Sequence, residues 1–348
     1  MTVSAIVVTW NSAGVLEGLL GSLRSGFDGI AEWRLTIADN DSADETVAIA
    51  ERWLRRHAGE VPGRVLRTGR NGGYAAAINA ALALDDPRAD DARARDADGR
   101  QVDATLILNP DVRLGPGCVR RMLHVLEADG QPPSGIVVPR IRDARGRIYR
   151  SLRREPSLTR ALGEAVLGRR AACVGRLGET VGDEAAYQAT TTADWATGAV
   201  MLIGAACRAA CGAWDESFFL YSEETDYALR ARDRGFATRL APAAEATHLG
   251  GESKTSGRLW ALLTVNRVRL YRRRHAWPMA VLFWMAVLLR EAPRAALGRS
   301  PSRSAVAALL RLRPVARAAA ATAPPSVVEF TRRAYPQVPL DPGPADGG

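Results

Sequence analysis

Lysine is almost missing from this chain. Lys254 is the single example, so nearly all of the 47 basic side chains are arginines, and against 38 acids they leave a formal charge of +9. Aromatic residues are sparse at 6%, and no DNA- or RNA-binding motif accompanies the charge, so no nucleic-acid partner is expected. Cysteine is scarce too. Four scattered thiols exclude a disulfide framework, and Cys207 and Cys211 sit one helical turn apart with no second pair to complete a zinc site. Buried thiols in a reducing compartment are the expectation. No GxGxxG follows the first apolar run, which argues against a dinucleotide-dependent oxidoreductase. The stretch "GGESKTS" (250–256) has a lysine but not the glycine spacing or the strand-to-helix context of a Walker A loop. A long apolar run is also lacking. Residues 276–289 are too short and too proline-interrupted to span a bilayer, although they suit a helix lying at a membrane surface or one packed on the rest of the chain. The start, "MTVSAIVVTWN", has neither a basic segment nor a small-residue cleavage site and is expected to be a first strand rather than a secretory signal.

What is present is an alternation of two hydrophobic periods. Strands are expected at 3–8, 33–38, 63–67, 104–108 and 135–139, with helices at 11–23, 44–56, 74–84 and 117–128 between them. Such alternation implies an α/β fold with a mainly parallel central sheet flanked by helices. Residues 85–103 are charged, almost without large apolar side chains, and are expected to form a surface excursion. The chain is expected to divide into a main α/β unit over 1–257, a basic and apolar helical appendage over 258–322, and a Pro/Gly-rich, loosely ordered tail over 323–348.

In open α/β sheets ligands bind beyond the carboxyl ends of the strands. Here every such end is polar: Thr9-Trp10-Asn11, Asp39-Asn40-Asp41-Ser42, Arg70-Asn71-Gly72-Gly73-Tyr74 and Asn109-Pro110-Asp111. Each alone is an ordinary turn, but four on one rim describe a ligand site. Asp39 can accept hydrogen bonds from a base or ribose. The glycines of "NGGY" let backbone approach a ligand closely. Asn109 and Asp111 offer two oxygens across a stiff proline, a pattern that suits Mg2+ or Mn2+ with further ligands from phosphate and water.

The stretch "LYSEETDYALR" (220–230) concentrates three carboxylates, Glu223, Glu224 and Asp226. One reading is a helix start, with Ser222 as cap, acids favoured by the helix dipole, and Asp226 paired with Arg230 one turn on. The other is a catalytic base. Helical geometry puts Glu223 and Asp226 on one face and turns Glu224 about 100° from Glu223, which leaves Glu224 free to point into a cleft.

Taken together, "IVVTWNS" (6–12), "IADNDSADET" (37–46), "RNGGYAAAINAAL" (70–82), "LILNPDVRL" (106–114), "DWATGAVMLIGAAC" (194–207), "WDESFFLYSEETDYALRARDRG" (214–235), "ATHLGGES" (246–253) and "NRVRLYRRRH" (266–275) resemble, in order and spacing, the family 2 glycosyltransferases of the GT-A fold, in particular their rhamnosyltransferase-like branch. The resemblance implies a Rossmann-like domain, a nucleotide-diphosphate sugar donor, inversion at the sugar, and a divalent cation, Mg2+ or Mn2+. By position it places Thr9, Asn11, Asp39, Asn71, Gly73, Tyr74, Asn109 and Lys254 around the donor, and Trp195 and Gly198 on the acceptor side. Asp111, Asn109 and His248 fall at the metal, with Asn109 standing where the family often has Asp. Lys254, Arg258 and the His248 segment are read as a lid over the diphosphate. Glu224 stands where the catalytic base is expected, one methylene longer than the usual Asp, with Glu223 and Asp226 as neighbouring candidates. A glycan or lipid-linked acceptor and an anionic membrane surface are the implied partners, at the inner face of the cell membrane. A nucleotidyltransferase of similar architecture and a non-catalytic sugar-nucleotide or membrane-binding relative are the competing readings, although the first strand lacks a nucleotidyltransferase's Gly-rich basic signature.

Overall fold

The computed structural model describes residues 1–84, 102–174, 176–250 and 256–312. Most of the 85–103 excursion, the 323–348 tail and Lys254 lie outside them. The first half follows the alternating pattern: β1 (Thr2–Thr9), α1 (Ala13–Gly26), β2 (Glu32–Asp39), α2 (Thr46–Arg56), β3 (Gly63–Arg67), α3 (Tyr74–Ala83), β4 (Ala104–Leu108), β5 (Val112–Leu114), α4 (Cys118–Glu127) and β6 (Ser134–Arg142). The chain continues through β7 (Leu152–Arg153), α5 (Leu158–Leu167), β8 (Thr192–Ala193), β9 (Trp195–Ala196), β10 (Val200–Gly204), α6 (Ala205–Cys211), α7 (Glu223–Asp233) and β11 (Ala237–His248). Three helices close the described chain, α8 (Gly257–Arg274), α9 (Trp277–Ala296) and α10 (Ser300–Arg311).

The main sheet runs β3-β2-β1-β4-β10-β6-β11-β5, with β8 also on β11. Strands β3, β2, β1 and β4 are parallel, and β11 is parallel to β6, while β10 is wedged antiparallel between β4 and β6. Because successive strand side chains point to opposite faces, β1 feeds two cores. Val3, Ala5 and Val7 join the leucine stripe of α1 (Leu16, Leu19, Leu20, Leu23) and Met122 of α4. Ile6 and Val8 join Ala77 and Ile78 of α3 and Tyr227 and Ala228 of α7. A smaller third core of Ala161, Val268, Tyr271, Phe283, Val287 and Leu309 binds α5, α8, α9 and α10 together. This is the expected α/β architecture with a helical C-terminal appendage.

Parallel pairing in register sets the rim. Thr9 lies beside Asp39, and Asp39 beside Arg67. One crossing was not legible in the sequence. The chain leaves β4 in the middle of the sheet at Leu108 and reappears as β5 at the far edge, where Val112 pairs with His248. Asn109-Pro110-Asp111 makes this connection and brings Asp111 to the end of β11, where its carbonyl accepts from Leu249 N at 3.0 Å.

Candidate active site

On the rim that the resemblance assigns to the donor, the polar groups hold one another. Asp39 is 2% exposed, and its carboxylate accepts from Thr9 Oγ1 (2.8 Å), Ser42 Oγ (2.6 Å) and Ser42 N (2.9 Å). A carboxylate offers about four lone-pair sites, and these three bonds occupy most of them. Asn11, in a left-handed turn (φ 47°), donates its N–H to Ser42 Oγ at 2.8 Å and accepts from Ala43 N at 2.8 Å. Asn71 accepts from Gly73 N at 3.1 Å, and Asn40 Nδ2 donates to Gly73 O at 3.0 Å. Gly73 itself requires the absence of a side chain: its φ is +94°, and a Cβ there would lie 2.3 Å from the carbonyl oxygen of Phe219. A groove beside this loop, lined by Asn40, Thr68, Arg70, Gly72 and Asn79, has an empty volume of about 880 Å3.

Tyr74 links the donor rim to the acids. Its hydroxyl donates to Asn109 Oδ1 (2.8 Å) and lies 3.3 Å from Gly198 O, while Asn109 N donates to Ala199 O (2.9 Å). Burial, then the charges of Glu223, Glu224 and Asp111, push the Tyr74 phenol well above its ordinary range, so it stays a neutral donor. Asp111 Oδ1 lies 3.2 Å from His248 Nε2. Burial raises the Asp111 carboxyl, but the His248 hydrogen bond and charge outweigh it and the net shift is downward. Gly250 abuts this carboxylate so closely that a Cβ would stand 1.9 Å from Asp111 Oδ2.

These residues fit a divalent cation. Asp111 and His248 bring an oxygen and a nitrogen together, and His248 Nδ1 is buried with no partner. Asn109 is adjacent, but its carboxamide oxygen already accepts from Tyr74. No cluster of three or more His, Cys, Asp or Glu occurs among the described residues. A cation seated here would therefore draw most ligands from phosphate and water, as Mg2+ and Mn2+ do.

The acid stretch resolves into three environments. Asp226 pairs with Arg230 Nε at 2.7 Å, as a helix-holding ion pair should. Glu223 does not share that pairing: it is 3% exposed and its Oε2 has no hydrogen-bond partner. Glu224 is partly buried and its Oε2 also lacks a partner. Burial pushes both carboxyls up, with the Glu224 charge adding to the rise at Glu223, while backbone hydrogen bonds and the charge of Arg153 oppose it at Glu224. Gly198 lies against the stem of Glu224: a Cβ there would stand 3.3 Å from Glu224 Cβ and 3.6 Å from its Cγ. Trp195 is 9% exposed and its indole N–H donates to Arg154 O at 3.0 Å. The Arg153 guanidinium lies 5.9 Å over its ring.

One expectation about this helix changes. Ser222 precedes α7 but makes no side-chain capping bond, because its φ of 77° is left-handed rather than the extended geometry of a capping serine. Tyr221 is left-handed too (φ 69°), so two successive non-glycine residues carry strain of about 1–3 kcal/mol each. The group holding them was given no role by the sequence. Asn266 of α8, 0% exposed, donates from Nδ2 to Leu220 O (3.0 Å) and Tyr221 O (3.2 Å). The only signal for it was its place at the start of "NRVRLYRRRH".

Comparison with known proteins decides the family. Residues 4–175 match the Glycosyl transferase family 2 model. N-acetylglucosaminyl-diphospho-decaprenol L-rhamnosyltransferase of Mycobacterium tuberculosis (strain CDC 1551 / Oshkosh) is 30% identical over 246 residues, covering 70% of this chain and 74% of the relative. This chain is a family 2 glycosyltransferase. Within the family this glycosyltransferase is rhamnosyltransferase-like. Its GT-A fold is also that of a mannosyltransferase from Pyrobaculum calidifontis solved with GDP-Man and Mn2+ (TM-score 0.53, 15% identity, covering 89% of this chain and 79% of that one). GalNAc-T7, solved with UDP, GalNAc and Mn2+, aligns with a TM-score of 0.50 at 12% identity, covering 77% of this chain and 48% of its own.

Proposed function

We propose that this glycosyltransferase moves a sugar, L-rhamnose in the reading its relatives favour, from a nucleoside-diphosphate donor to a hydroxyl of a lipid-linked glycan, with inversion, in building cell-envelope polysaccharide. The observation that carries the chemistry is the pair of desolvated, unpartnered carboxylates at the start of α7, separated from the Asp111–His248 pair by Tyr74 and Gly198. The acceptor assignment leans on the mycobacterial relative, whose name specifies a decaprenol-diphosphate acceptor.

In this account the rim of β1, β2 and the 71–74 loop holds the nucleotide. Asp39 keeps one acceptor site for the base, and Gly73 lets the loop backbone close on the ligand. Tyr74, fixed between Asn109 and Gly198, marks the boundary between donor and acceptor. An acceptor hydroxyl is far too weak an acid to ionise alone, so a base must take its proton as the new bond forms. Glu224 does this. Burial strengthens it as a base, and Arg153 keeps it the more easily ionised of the two acids. Glu223, deeper and beside that charge, is the harder of the two to ionise. A base on the face opposite the leaving diphosphate gives inversion. A divalent cation held by Asp111 and His248 would supply charge stabilisation to the leaving diphosphate.

The test is transfer itself. The full-length protein is offered dTDP-, UDP- and GDP-sugars with Mn2+ or Mg2+ and a polyprenyl-diphosphate-linked glycan. Glycosylated lipid with inverted anomeric configuration is expected. Release of inorganic diphosphate from a nucleoside triphosphate, in place of glycosyl transfer, would instead assign nucleotidyl transfer. The chain is further proposed to work peripherally at the anionic inner membrane surface.

A further inference from the structure

Among the described residues no helix is long and apolar enough to cross a membrane, yet α9 presents an unusual outer face. Its inner face is committed to the appendage core: Ala280, Phe283, Ala286 and Val287 are buried. Its outer face exposes Trp277 (56%), Met279 (38%), Leu282 (45%), Met285 (53%) and Leu289 (55%), and just beyond its end Leu297 (83%). The remaining exposed positions between 277 and 298 are Pro278, Ala292, Pro293, Ala296 and Gly298. Every exposed residue along the helix is therefore apolar. The helix does contain charges, but they are turned inward: Glu291 is 1% exposed, Arg294 pairs with it at 3.3 Å, and Arg290 reaches Glu164 of α5 at 3.3 Å. A solvated helix of a soluble domain has the opposite polarity, with charges outward.

Charge returns at both ends. Arg272 is exposed before the helix, and Arg299 and Arg303 are exposed after it. The neighbouring helix α5, which shares the core beneath α9, adds Leu162 (43%) and Val166 (78%) one turn apart. An apolar stripe about 30 Å long, with arginines at its ends and a tryptophan at its start, matches the interfacial zone of an anionic bilayer: acyl chains under the stripe, phosphates against the guanidiniums. A second protein surface would have to be equally devoid of polar groups along that length, and the arginines would then face no stated partner.

We propose that the outer face of α9 is the membrane-docking surface of this enzyme, lying in the plane of an anionic leaflet with Trp277, Leu282, Met285 and Leu289 inserted and Arg272 and Arg299 on lipid phosphates. The proposal deepens the lipid-linked acceptor reading and rests on it for its purpose, but not for its physics. The same α8 that α9 packs against supplies Asn266 to the backbone before the catalytic helix, so the docked face and the candidate base share one supporting element.

The experiment is co-sedimentation of the full chain with phosphatidylcholine vesicles, with and without phosphatidylglycerol, at low and high salt. Wild type should bind the anionic vesicles, and binding should weaken with salt. Met285→Asp/Leu289→Asp should lose it about tenfold or more, with unchanged circular dichroism and unchanged sugar-nucleotide hydrolysis or transfer to a water-soluble acceptor. Arg272→Glu/Arg299→Glu should weaken binding to anionic vesicles about tenfold and leave the residual neutral-vesicle binding alone. Wild type remaining in the supernatant, or the Asp variants binding as well as wild type, would overturn the proposal. So would light scattering that shows a wild-type dimer made monomeric by the Asp variants without any lipid binding, which would assign the face to a second copy. Because hydrolysis and soluble-acceptor transfer are read separately, a failure of glycosyl transfer and a failure of membrane docking give different results.

Discussion

The two sides of the candidate cleft differ in how their polar groups are satisfied. On the proposed donor side Asp39 accepts three hydrogen bonds, and Asp111 meets His248. At the start of α7, Glu223 and Glu224 each leave a buried oxygen unpartnered. Satisfied groups make a pre-organised binding surface, because little reorganisation remains when the ligand arrives. Desolvated, unpartnered carboxylates are costly to keep and are strong bases. On the proposed function the contrast would separate binding from chemistry within one cleft, and it can be broken from either side.

The largest effect is expected at Glu224. Glu224→Gln should slow single-turnover transfer about 1,000-fold, while calorimetric donor affinity stays within the wild-type range. The acid limb of the wild-type rate profile should lie above the ordinary carboxylate range. Burial raises the group, so activity must rise with pH only as Glu224 finally ionises.

Next comes Gly250 on the opposite side. Gly250→Ala sets a methyl 1.9 Å from Asp111 Oδ2 and must displace it. Metal-dependent donor affinity should fall about 10- to 100-fold, read by titration with and without Mn2+, with little loss in the metal-independent component. If transfer fell while donor affinity held, the division between the two sides would be blurred.

A smaller effect belongs to Asn266. Asn266→Asp keeps the shape but removes the donor that holds Leu220 O and Tyr221 O. It should lower kcat about tenfold through loss of the left-handed pair before Glu223, with donor KM unchanged. A change confined to melting temperature would reduce Asn266 to a packing role.

The smallest concerns Glu223, and its sign follows from burial. Its folded pKa is raised above the unfolded value. Between those two values the unfolded chain has released the proton that the folded chain retains, so stability falls as pH rises. Glu223→Gln should remove that slope and raise stability by about 1–2 kcal/mol at neutral pH, with little change at acidic pH, as measured by denaturant unfolding at both.

Much of this was legible in the sequence, for identifiable reasons. The leucine spacing of α1 and the β-branched run of β1 carry their own periods, and both elements fall close to their expected bounds. The polar strand ends were found because a parallel sheet must put them on one rim. The Asp226–Arg230 pair followed from helical spacing alone. What was hidden depends on distant pairing. Nothing local shows that β5 belongs beside β11, so the meeting of Asp111 with His248 could be assigned only by resemblance. Ser222 looked like a cap because its type is right, but backbone handedness set by a remote helix decides otherwise. The run at 276–289 was equally suited to packing and to an interface, and α9 buries one apolar face while exposing another.

The most direct test of the central claim pairs the two adjacent acids. Glu223→Gln and Glu224→Gln are prepared together, checked for donor binding, and followed in single-turnover transfer. The account predicts that both bind donor, that Glu223→Gln transfers at a rate near wild type, and that Glu224→Gln transfers about 1,000-fold more slowly. An active Glu224→Gln beside an inactive Glu223→Gln would contradict it and move the base one residue back along α7.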